Sequence, residues 1–436
     1  MQKFLQQKMK KILILISSVY FFLGCKETKI ESKVDQNTLL IASEGHFYNV
    51  NLDKNTISWE FNSPLDNEGN RTYFEVDKQN IFMPFESGRF INFDLVSGKI
   101  IWDHQIYGTE GIIEMSSDSD QQAEMINSVK PLFFSKPLID NDNVLIASSG
   151  QPYIGESWMY NFDRTNGQVK WYSQLSTVFN FYSPVKYKNH YFINSAVFLM
   201  KLNAENGINT SYGMFDGDLE IAGEEPQNNE ENQFKYPIYN QMQTDGKQLF
   251  IGDEKGTFYS IQLNEDGNYN DSDISDPSNT FKKNPKAFNW KFQDNVYNFP
   301  KNQNTFYFDG VLYFEMKNDI ASKSCLFAID TKNGKIIWKK VVNNEILNCS
   351  FSNKKIIGNS INSIFIIDFE GKNFNEFPVE NQPLSNIEMK NDSKLIYITK
   401  FGVEQFDIQT KKSTILLNKS FHENEHNNVQ IKFISK

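Results

Sequence analysis

The stretch GRFINFDLVSGKIIW, Gly88 to Trp102, decides the fold. Apolar and polar residues alternate up to Asp94, Gly98 follows four residues on, and Trp102 eight on. Alternation with a period of two is a strand with one buried face. Asp followed by Gly marks a tight turn, in which the carboxylate bonds turn amides and Gly accepts a positive φ. The chain then re-enters a strand that reaches Trp102. A large ring at a fixed place beyond a hairpin buries itself against a neighbouring unit.

The pattern recurs along the chain. WMYNFDRTNGQVKW repeats it with Asp163, Gly167 and Trp171, and CLFAIDTKNGKIIW with Asp330, Gly334 and Trp338. FYNVNLDKNTISW reads as a version shortened by two, with Asp53 and Trp59. FLMKLNAENG keeps Gly207 but has Asn203 for Asp and Ser211 where Trp is expected. TFYSIQLNEDG has Asn264 and Gly267, and its Trp290 arrives only after a polar insertion. SIFIIDFEG, with Asp368 and Gly371, and GVEQFDIQT, with Asp407, lack the Trp. That makes eight copies, and only Trp158 of the six Trp stands outside the scheme. A further strand precedes each unit, as in NIFMPF and NVLIAS, and the intervals supply a fourth. Turn residues lie 41, 69, 40, 61, 66, 38 and 39 apart, a base near 40 with insertions. A unit of about 40 residues and four strands is a propeller blade. The fold class is therefore all-β, with eight blades over residues 37–436. Seven is the alternative if NTLLIAS or NVQIKFISK closes a blade made from both ends of the chain.

Composition agrees. The 436 residues carry a net charge of -10, which disfavours nucleic acid as a partner. Aromatic residues make up 14%, too apolar for a disordered chain.

The first 25 residues stand apart. MQKFLQQKMKK is basic, ILILISSVYFFLG is apolar for 13 residues, and Cys25 follows. This order describes an export signal, and the run is shorter than the roughly 20 residues a membrane span needs. FFLGC resembles a bacterial lipoprotein cleavage box, although Phe22 stands where Leu is usual. The resemblance implies a signal peptide over 1–24, lipidation of Cys25 and a polar tether over 25–36. Lys26 after the Cys, by resemblance to Gram-negative sorting, points to the outer membrane. A secretory signal cut elsewhere is the alternative. Export to an oxidising compartment permits a disulfide between Cys325 and Cys349, and two separate thiols fit equally well.

The D-x-x-x-G-K-x-x-W pattern after an alternating strand resembles the quinoprotein, or PQQ-type, β-propeller repeat. Membership implies the fold firmly and the function loosely, because the repeat also occurs in proteins that bind no quinone. The quinone-dependent dehydrogenases of this type typically carry an adjacent Cys-Cys pair, which this sequence lacks. With its anchor, size and repeat, the chain also looks like the propeller lipoproteins of the outer-membrane barrel-assembly machinery. That likeness implies a non-enzymatic scaffold without cofactor, monomeric, anchored in the membrane by lipid and bound to an envelope protein. The rivals are a PQQ- and calcium-dependent dehydrogenase, a surface glycan binder and a toxin-neutralising lipoprotein.

Two motifs invite a metal reading. FHENEHNN, Phe421 to Asn428, satisfies both zinc-peptidase spacings through His422 and His426. Those spacings converge on a metal only on a helix. KSTILLN before and VQIKFIS after read as strands, so the segment is expected to be a hairpin loop. The acidic runs SSDSDQQAE, GEEPQNNEEN and NEDGNYNDSDISD lack the order of a calcium loop and read as solvated loops. No metal site is expected.

Long loops on a rigid scaffold carry function. The insertions 103–141, 212–242 and 293–308, with SSGQPYIGES and EMKNDIASKS, all fall on the face opposite the D-x-x-x-G turns. Only 268–287 falls on the turn face. The expected binding face consists of Tyr107, Phe133, Phe134, Tyr153, Trp158, Tyr212, Phe215, Tyr236, Tyr239 and Tyr297, since aromatic residues anchor interfaces.

Overall fold

Each repeat forms one antiparallel sheet of four strands, and eight such sheets follow one another around a ring. The computed structural model describes residues 36–66, 73–106, 132–149, 157–175, 180, 182–195, 198–213, 240–263, 288–318, 323–421 and 429–436. Blade 2 is typical. Its strands, from the channel outward, are Glu75–Asp77, Asn80–Pro84, Arg89–Asp94 and Ile100–Gln105. Blades 3 to 8 repeat this order over residues 138–175, 185–213, 243–292, 299–342, 348–378 and 388–418.

Blade 1 is composite. Thr38–Ser43, His46–Asn51 and Thr56–Asn62 are its outer three strands, and the last strand, Gln430–Ile434, pairs with Thr38–Ser43 to become the innermost. NTLLIAS and NVQIKFISK do join in one blade, and the blade count is nonetheless eight. The two strands flanking the His422 segment are not partners. Lys412–Asn418 is the outer strand of blade 8 and Gln430–Ile434 the inner strand of blade 1, and residues 422–428 lie outside the described residues.

The second and third strands of each blade are buried on both faces and form apolar layers between blades. Phe82, Phe90 and Trp102 of blade 2, for example, meet Val144, Ile146 and Phe162 of blade 3. The sequence motif becomes intelligible at these joints. The Trp of one blade lies under the turn Gly of the next: Trp59 under Gly98, Trp102 under Gly167, Trp171 under Gly207, Trp290 under Gly334 and Trp338 under Gly371. A Cβ on any of these glycines would fall 2.5–2.7 Å from the indole. Each of the five also has a φ between +68° and +72°, so Gly is required twice over. The indole N–H donates to the carbonyl just after the turn residue, at Leu95, Arg164, Ala204, Thr331 and Phe369, over 2.7–3.2 Å.

This geometry corrects the reading of the first repeat. The residue that caps its turn is Asn51, whose Oδ1 accepts from the amides of Asp53 and Lys54, as Asp94 Oδ1 accepts from Ser97. Asn55 stands at the Gly position with φ +53°, and Trp59 lies at the full spacing of eight. The repeat is not shortened, and Asp53 instead accepts from Asn37.

Candidate binding face and channel

Strand direction sorts the connections onto two faces. The turn face carries the hairpins joining third to outer strands. The loop face carries the turns between second and third strands and every crossover from one blade to the next. Of the ten aromatic residues expected on the loop face, Tyr107, Tyr153, Phe215, Tyr236 and Tyr239 lie outside the described residues, as does Cys25. Phe133, Trp158 and Tyr297 are buried, with 1%, 8% and 8% exposure, and no partner could reach them. Phe133 and Trp158 join the layer between blades 2 and 3, and Tyr297 joins that between blades 5 and 6. A crossover must pass over the joint it spans, and Phe133 and Tyr297 close the apolar layer beneath it, whereas Trp158 lies on the strand Ser157–Asp163 of blade 3. Phe134 is half-buried. Tyr212 belongs to the outer strand Asn209–Gly213, paired with Leu199, not to a loop. The 293–308 insertion is likewise largely the inner strand Phe299–Phe308.

The channel wall, which the sequence did not reveal, is tied at every joint. Lys432 Nζ of blade 1 donates to Glu75 Oε1 of blade 2 at 3.0 Å, and Glu75 also pairs with Lys136 at the entry to blade 3. Ser183 donates to the Lys136 carbonyl and exchanges two bonds with Gln241, which links blades 3, 4 and 5. Gln243 donates to Thr305 O of blade 6. Phe306 stacks on Phe351 of blade 7 at 4.7 Å. Ser350 donates to Ile387 O of blade 8. Asn386 exchanges two bonds with the backbone of Ile431 in blade 1, at 3.0 and 2.8 Å, which closes the circle. Apart from Thr305 and Phe306, on the inner strand Phe299–Phe308, these groups sit on inner strands of two to five residues or in the segments just before them, too short for periodicity to single them out.

Electrostatics concentrate on one side. Burial alone would raise Glu75, but Lys136 and Lys432 outweigh it and hold the carboxyl near 2. Glu388, on the inner strand of blade 8, is pushed up to about 7 by burial, against the pull of Lys432. Asp253, fully buried where blade 5 turns on the loop face, is raised to about 6 by desolvation despite accepting from Tyr259 and two backbone amides.

A calcium–quinone centre finds poor material in this wall. Calcium takes six to eight oxygens, with carboxylates free to bind it. Among the described residues no three Asp, Glu, His or Cys converge, and Glu75 is already held by two lysines. Cys325 and Cys349 are free thiols rather than a disulfide. Burial pushes Cys325 up to about 12 and Cys349 well above its ordinary range, which leaves both unreactive.

Ring, repeat and joints define the class: this is an eight-bladed β-propeller of the PQQ-like repeat. A family model described as outer membrane protein assembly factor BamB matches residues 27–270, and the chain belongs to that family. No curated protein sequence matches it. Among solved structures, BamB from Moraxella catarrhalis is similar at 11% identity and TM-score 0.51, covering 86% of this chain and 92% of that one. Apo AztD from Citrobacter koseri is similar at 11% identity and TM-score 0.55, covering 92% and 99%. The quinohemoprotein alcohol dehydrogenase from Comamonas testosteroni is similar at 10% identity and TM-score 0.54, covering 90% and 74%. At such identities these likenesses establish the fold alone.

Proposed function

We propose that the chain is a non-enzymatic propeller, anchored through a lipidated Cys25, that docks an envelope protein on its loop face in the course of outer-membrane protein assembly. The family match carries this reading. The choice of face rests on the inequality of the two. Among the described residues, the turn face consists of short capped turns, whereas the loop face receives every crossover. Apolar tips are exposed on both faces, Leu65, Ile361 and Phe401 on the loop face at 74%, 53% and 41% and Val96 and Ile208 on the turn face at 53% and 69%, so the crossovers make the choice. Tyr107, Tyr153, Phe215, Tyr236 and Tyr239 are proposed to extend this surface. The test places a photocrosslinking amino acid at Ile361 or Phe401, and at Val96 on the turn face, in cells. Adducts with one envelope protein from the first two positions alone are expected. Adducts from Val96 alone, or none from either tip, would overturn the assignment.

A further inference from the structure

The chain crosses all eight joints, but blade 8 alone is followed by a single strand, Gln430–Ile434, which closes the ring by pairing with Thr38–Ser43 inside blade 1. Blade 8 differs from every other blade in a second respect, because neither of its faces has a Trp lock. At the joint between blades 7 and 8, Lys411 takes the Gly position with φ +56°, and Asn375 of blade 7 stands across from Ile366, where a Trp would pair. At the joint between blades 8 and 1, the Gly position is Asn55, and Thr414 stands across from Gln405. Blade 8 is held to blade 1 by an aliphatic layer, in which Leu39, Ile41 and Val50 meet Ile396, Ile398 and Val403, with no indole to lock it; the Asn386–Ile431 pair of bonds and the exposed Lys419–Glu60 ion pair at 3.2 Å add polar ties. Tyr48 and Phe421 add one edge-on aromatic contact at 5.0 Å. Between blades 4 and 5 the Trp is also missing, but there Ser183 and Gln241 clasp each other and both blades are locked on their other face.

We propose that the ring opens at blade 8, with the strand Gln430–Ile434 leaving blade 1 and blade 8 swinging out as one unit while the Trp-locked blades stay closed. Opening bares the inner edge of Thr38–Ser43, every residue of which is buried in the closed ring. A bare strand edge of that kind accepts one extended segment. Local opening of this kind is the low-energy end of a protein's stability spectrum and is read directly by amide exchange.

The experiment is native-state hydrogen exchange on the whole chain, followed by peptide mass. Amides of 430–434, and those of 38–43 bonded to them, are expected to exchange together, about tenfold or more faster than strand amides of blades 2, 3 and 6. Installing the missing lock with Thr414→Trp and Asn55→Gly is expected to slow those amides and no others. Asn386→Ala, which keeps the fold and cuts the tie to Ile431, is expected to speed them selectively. Exchange of the 430–434 seam amides at the rate of blade 3, or equal acceleration of all blades by Asn386→Ala, would overturn the proposal.

Discussion

The joint between blades 2 and 3 and the joint between blades 8 and 1 join the same kinds of sheet by different means. At the first, Trp102 lies under Gly167 and donates to Arg164 O, inside a layer of phenyl rings. At the second the layer is mainly aliphatic, Asn55 has a side chain where Gly167 has none, Thr414 replaces the ring, and an exposed ion pair spans the rim. Burying a Trp is worth several kcal/mol, whereas an exposed ion pair contributes about 0–1 kcal/mol. The comparison teaches that Trp and Gly belong to one device divided between two repeats. Where the ring is present the next turn has Gly, at five joints; where it is absent and the next turn is described, the residue carries a side chain, at two.

The largest effect that follows is on the locks themselves. Trp102→Ala should lower the unfolding free energy by about 3–5 kcal/mol in denaturant melts, the usual cost of deleting a buried Trp. Asn55→Ala at the unlocked joint should cost only about 0.5–1 kcal/mol, for loss of a residue that tolerates positive φ. Equal losses at the two sites would erase the distinction between the joints.

The next effect concerns pH. Glu388 and Asp253 hold their protons in the fold up to about 7 and about 6, above the ordinary carboxyl value. From about pH 4.5 to 7 the unfolded chain releases these protons while the fold retains them, so stability falls as pH rises through this window, by up to about 5 kcal/mol. Below pH 4.5 the opposite sign takes over, because Glu75, held near 2 by its lysines, must be protonated. Melting temperature should therefore peak on the acid side of neutrality, and Glu388→Gln should flatten the decline toward pH 7. A Tm that climbs steadily from pH 5 to 7.5 in both proteins would contradict this assignment.

The fold was legible because its device is local and repeated. Asp94, Gly98 and Trp102 fall within nine residues, and strand alternation around them fixes which face is buried. The misreading of the first repeat has a physical cause: with Asn55 for Gly, the cue of positive φ disappears, and Asp53 drew the reading away from Asn51. The channel belt was illegible because Glu75, Lys136, Glu388 and Lys432 lie more than 350 residues apart at the extremes and meet only when the ring closes. The buried rings Phe133, Trp158 and Tyr297 misled for another reason. A loop aromatic that caps an apolar layer and one that waits for a partner look alike in sequence, and only burial separates them.

The most direct measurement is a double-mutant cycle on Trp102 and Gly167, by equilibrium unfolding of the single and double variants. Gly167→Ala drives a Cβ to within 2.6 Å of the Trp102 ring, so much of its cost should vanish once that ring is gone. The account predicts a coupling of at least about 1 kcal/mol, with the double variant more stable than the sum of the singles implies. Additivity to within about 0.5 kcal/mol would mean that ring and glycine act separately, and the joint as described would not exist.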